Sequence, residues 1–187
     1  MPRERRPADY EYYEERLPFL SQGDIFDDVP LSYPLPAREI ATDEGTGERK
    51  FLSGPLEFGK AMLITPTCSM RAQGEEGYAH PVRTLVPVVP LDEGLVSHLG
   101  LNEEKLGFLR SYDGLINYMY LPASDSLGLR ESLALLYMPI TLHHDIIDSQ
   151  RVTQLAIEGA RQLHRKLVWF ASGWQAETRA FFDPPMD

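Results

Sequence analysis

Cys68 and His80 are the first side chains whose types and spacing allow chemistry. A thiol becomes a nucleophile as its thiolate, and an imidazole twelve residues further on is a base able to take the proton. The competing reading treats Cys68 as a small apolar side chain at the mouth of a strand, with no strand-to-helix elbow around it. His143-His144-Asp145, with Asp148 close behind, has the residue types of a metal site. Neighbouring histidines on an extended segment point to opposite faces, however, so only one could join a given site without a sharp turn. Asp24, Asp27 and Asp28 form an acidic knot in which period-two spacing puts Asp24 and Asp28 on one strand face. Paired carboxylates divide acid and base roles or bind a hard cation; on a strand edge they also discourage edge-to-edge aggregation. Tyr118 and Tyr120 share a face by the same spacing, as a stacking platform or a packed barrel wall requires.

Composition narrows what these residues could serve. The chain has 187 residues, 43% hydrophobic and 25% charged, with 14 Gly and 15 Pro, which suits one globular domain and excludes collagen-like, coiled-coil and wholly disordered classes. A net charge of -10 argues against a general binder of nucleic acid or anionic membrane, and makes a protein the expected partner. The acidic excess lies in residues 1–150, whereas Arg151, Arg161, Arg165 and Lys166 follow one another near the C-terminus, as on the solvated face of a helix. Cys68 is the only cysteine, which removes internal disulfides and zinc–thiolate clusters. The basic N-terminus has no apolar stretch behind it, and no run approaches the ~20 apolar residues of a membrane helix, so the expected location is the cytoplasm. Phosphate-loop, dinucleotide-fold, nucleophile-elbow and zincin motifs are missing, and neither a cofactor nor a metal is expected.

Residues 1–20, rich in Arg, Glu and Tyr, read as a flexible arm whose tyrosines pack on the body, and 21–187 as one domain. Strands are predicted over 24–30, opened by Gly23; over 57–65, ending in a continuous apolar run; and over 82–91, where Pro87 implies an edge or a bulge. Strand patterns return over 115–121 and 132–138. Pro34, Pro36, Gly45 and Gly47 mark 31–50 as a long surface loop. Asn102 caps a short helix. Asp148 or Ser149 caps a long one, with Val152, Leu155, Ala156, Ala160, Leu163, Leu167 and Phe170 on its apolar face and Ser172-Gly173 closing it after about six turns. Clustered strands with little helix between them disfavour a doubly wound parallel sheet. The expected fold is mainly β: a small SH3-like barrel or curled antiparallel sheet with a long C-terminal helix across it.

Gly23-Asp24-Ile25-Phe26, Gly59-Lys60-Ala61-Met62-Leu63-Ile64-Thr65 and Val86-Pro87-Val88-Val89-Pro90-Leu91 follow one another in an order that resembles the MazF/PemK-like toxins. That family consists of small SH3-like barrels that cleave RNA, and the likeness covers about a third of the chain. The resemblance implies a phosphate-handling site at the second and third strands. Its arginine position is Lys60 here, a point charge without the guanidinium fork, and its threonine position is Asp92, whose carboxylate repels phosphate. The resemblance therefore implies a binding or accessory module with a degraded site. The alternatives are a phosphodiesterase using Lys60 with Asp92 or His80 as base, and a hydrolase built on Cys68. Ile64-Thr65-Pro66-Thr67-Cys68-Ser69 and Tyr120-Leu121-Pro122 also resemble segments of uncharacterised bacterial proteins that share the opening strand.

Overall fold

Val29, Met62, Val86, Met119 and Leu133 are all withdrawn from water, and the strands carrying them form one curled antiparallel sheet. The computed structural model describes residues 12–13, 18–32, 41–42, 49–50, 56–70, 81–111, 115–147 and 150–171. Its strands are β1 (Asp24–Ser32), β2 (Ala41–Thr42), β3 (Arg49–Lys50), β4 (Leu56–Leu63), β5 (Val82–Pro90), β6 (Tyr118–Leu121), β7 (Ser132–Leu135), β8 (Ile140–His143) and β9 (Arg151–Gln154). The helices are α1 (Thr67–Met70), α2 (Glu93–His98), α3 (Glu103–Leu109) and α4 (Ile157–Ala171). The main sheet runs β6-β7-β5-β4-β1-β9, with β8 also on β5, while β2 and β3 pair with each other within the predicted loop 31–50. A half-barrel of antiparallel strands with a C-terminal helix is thus the fold expected from the sequence.

Both faces of the sheet are covered. On one, Ile25, Met62, Val86, Met119, Leu121 and Ala134 pack against Leu155 and Leu163, so α4 lies across the curl. On the other, Phe26, Val29, Ala61, Leu63 and Leu85 meet Met70 of α1 and Ile147. A third cluster joins Leu133 and Leu135 to Leu95 of α2, Leu99 at its C-cap and Leu109 of α3. Burial on two sides explains the unbroken apolar run Ala61-Met62-Leu63, which a strand with one wet face would interrupt.

Pro87 is central, between β4 and β7, not at an edge. Its missing N–H is tolerated because the opposite ladder is interrupted there. β8 pairs with Val82–Leu85 and β7 with Val88–Pro90, and residues 136–139 bulge out between them. A second bulge shapes β1. Phe26 pairs with Ala61 but Val29 with Gly59, so Asp27 and Asp28 together oppose Lys60, and Asp28 takes a left-handed φ of 54°. The extra residue resets the alternation and puts Phe26, Val29 and Leu31 in the same core.

The long helix begins later than predicted. Residues 151–154 form β9 on the free edge of β1, and Ile157 starts α4, which has 15 residues rather than six turns. The predicted caps Asp148 and Ser149 lie outside the described residues. Val152 and Thr153 are β-branched, and pairing with Asp24–Phe26 outweighs the marginal helical preference of four residues. The buried face of α4 holds Gly159, Gln162, Leu163, Lys166 and Trp169, so Lys166 is not on the solvated face; its Nζ donates to the Leu115 carbonyl at 3.0 Å. Of the arm, Tyr12 bridges to Leu155 and donates its hydroxyl to the Pro122 carbonyl at 2.8 Å. The arm residues 1–11 and 14–17 lie outside the described part.

Candidate functional site

β4 stays paired with β1 to its first residue, Leu56 opposite Ser32, but its pairing with β5 begins only at Lys60, opposite Val88. Beyond that point the two strands part and leave a groove of about 480 Å³. Lys60, Asp27, Glu57 and Arg130 bring charge to it, Val88, Val89 and Pro90 form an apolar wall, and Phe58 stands at the rim with 62% of its surface exposed. Lys60 sits here because it faces the β1 bulge, where its ammonium pairs with the Asp27 carboxylate. That hydrogen bond holds Asp27 below the usual carboxylate range, with the Asp28 N–H, 3.0 Å from its other oxygen, adding to the effect.

Lys60 is therefore partly neutralised before any anion arrives. Asp92 is not among the residues lining the groove. It lies two residues past β5 and caps α2, its Oδ1 accepting the Leu95 N–H at 2.8 Å. Of the sequence-predicted pair, Lys60 is in the groove and Asp92 is a helix cap. Cys68 lies in α1, a single turn that follows β4 within four residues, so a strand-to-helix turn does surround it; its side chain and all of His80 lie outside the described residues. No family model matches this chain. A search among curated proteins likewise returns no match.

The acidic knot divides. Asp27 and Asp28 are exposed, whereas Asp24 has no accessible surface. Asp24 Oδ2 accepts the Ser21 N–H at 3.0 Å and the Arg151 guanidinium at 3.1 Å. Burial outweighs both and pushes its carboxyl up to about 6. Because the bulge resets the alternation, Asp24 and Asp28 do not share a face as the spacing implied.

The tyrosines pack rather than form a platform. Tyr118 meets Tyr137 edge to face at 5.6 Å between ring centres. The Tyr120 hydroxyl donates to Glu131 at 2.8 Å, and Arg110 clamps the same carboxylate with two bonds of 2.6 and 2.9 Å. Burial, then the Glu131 contact, raises the Tyr120 hydroxyl to about 12, while Arg110 holds Glu131 below the ordinary range. This network ties the end of α3 to β6 and the start of β7, and sequence spacing gives no hint of it because its members are ten or more residues apart. Arg83 was also missed: it is fully buried on β5, where its Nη1 donates to the Val82 carbonyl at 3.0 Å.

Proposed function

We propose that the chain is a binding module whose groove at the parting of β4 and β5 takes an extended segment of a protein partner. The observation that carries this is the parting itself. Among the described residues Leu56–Gly59 pair only with β1, which leaves their other backbone edge for strand addition. Phe58 adds a large apolar surface at the rim, and aromatic side chains anchor most protein contacts. Two cations and two carboxylates in the groove suit a polypeptide, which has donors, acceptors and both signs of charge, better than a polyanion. The Asp27 contact to Lys60 and the capping role of Asp92 weigh against phosphodiester cleavage by those two residues.

The test is selection of extended peptides on the purified chain, followed by affinity measurement. Phe58→Ala and Lys60→Ala should each weaken the selected peptides by about tenfold or more. Ile157→Ala, at an exposed site on α4, should leave them unchanged. RNA cleavage by the purified chain that Lys60→Ala abolishes would replace this reading with the phosphodiesterase one.

A further inference from the structure

Adjacent histidines alternate faces on a strand, and His143 and His144 escape that rule. The backbone leaves β8 at His143 with φ -70° and ψ 142°, then enters a 3-10 turn over His144–Ile146, closed by the Ile147 N–H on the His144 carbonyl at 3.0 Å. The change of twist brings the two imidazoles side by side, with ring centres 4.6 Å apart and planes 28° from parallel. Asp145 spans both. Its Oδ2 lies 3.2 Å from His143 Nδ1 and its Oδ1 3.1 Å from His144 Nδ1.

We propose that His143, His144 and Asp145 form a binding site for a zinc-class divalent cation. Zinc bonds of about 2.0–2.1 Å set neighbouring tetrahedral ligands about 3.3 Å apart, close to the spacing these nitrogens and oxygens already have. One donor atom from each residue lies within 4.8 Å of the others, so small rotations of exposed side chains complete the set. Two imidazole nitrogens with one carboxylate select zinc, nickel, cobalt or copper over magnesium or calcium, which prefer oxygen alone. Both Nδ1 atoms already lie within 3.2 Å of the Asp145 carboxylate, so the three side chains are gathered in advance. The backbone beneath is held in place: His143 pairs with Val82 on β5, the His144 N–H donates to the Pro81 carbonyl at 2.8 Å, and Ile147 is fully buried. Asp145 is 73% exposed and His143 47%, which leaves the outer coordination positions to water or to a ligand. None of the three lines the β4–β5 groove, so the site stands independently of the function proposed for that groove.

Isothermal titration of the full chain with zinc chloride tests this. One equivalent should bind, and His143→Asn, His144→Asn and Asp145→Asn should each lower the affinity by about tenfold or more. His98→Asn and His164→Asn, at exposed histidines on α2 and α4, should not change it, and magnesium should not compete. A second reading on the unmodified chain, zinc-induced shifts of the ring nitrogen resonances of His143 and His144, keeps the test decisive if a variant misfolds. No saturable binding up to about 1 mM zinc would overturn the proposal, since weaker binding than that leaves too little free energy for a built site. Zinc binding indifferent to all three substitutions, or ring shifts confined to other histidines, would overturn it equally.

Discussion

Replacing Asp24 with Asn should flatten the stability of this protein between pH 4 and 7. Asp24 has no accessible surface, and its pKa rises from 3.8 to about 6 because burial outweighs the Ser21 and Arg151 contacts. The folded state thus holds this proton more tightly than the unfolded state does. Stability from that difference is fully present below pH 3.8 and is lost as pH rises through 6. A shift of about two units at about 1.4 kcal/mol each makes the loss about 3 kcal/mol by pH 7. Asp27 and Glu131 have lowered values, so their contributions are present at neutral pH and disappear as acid is added through their folded pKa values, a change of opposite sign in a more acidic window. Taking the difference between the two proteins cancels those terms. The assay is urea denaturation of both at pH 4 to 8. Relative to the natural chain, Asp24→Asn should gain about 3 kcal/mol between pH 4 and 7. The contact to Arg151 favours the ionised carboxylate and is already contained in the shifted value. Parallel curves would refute the reasoning, as would a carboxyl resonance of Asp24 titrating near 4 by NMR in the unmodified chain.

Three further outcomes follow from the same geometry. Asp92→Ala removes the cap of α2 and should cost about 1 kcal/mol in urea denaturation, without weakening peptides selected on the groove. Gly23→Ala should cost on the order of 2 kcal/mol, because Gly23 has a φ of 97° and an added Cβ would stand 3.1 Å from Leu155 Cδ1; an unchanged denaturation midpoint would contradict this. In an ultraviolet titration one tyrosine should ionise near pH 12, and Glu131→Gln should move it part of the way back towards 10, the remaining shift coming from burial.

Much of the framework was legible because it rests on local patterning. The apolar run ending β4, Gly23 at the opening of β1 and Asn102 at the start of α3 each reflect a requirement met within a few residues: burial on two faces, a positive φ, and an unpaired helix N–H. The N-terminus of α4 was misjudged because Val152 and Leu155 fit helical spacing, whereas the free edge of β1 that captures residues 151–154 comes from more than a hundred residues away. In the candidate site, Lys60 was reached through the family resemblance, and Asp27 as a member of the acidic knot rather than as the partner of Lys60. Asp92 was given a chemical role that the start of a neighbouring helix takes instead.

By itself the sequence determined the curled antiparallel sheet with a closing helix, since hydrophobic periodicity and Pro/Gly punctuation act through neighbours along the chain. Tertiary structure alone decided which charges are buried, where β4 parts from β5, and that His143 and His144 face the same way. The first two depend on a bulge or on strands from distant parts of the chain, and the third on the change of twist where β8 enters a 3-10 turn. One inserted residue or one change of backbone twist reverses which side a residue faces, and composition and spacing carry no record of that reversal.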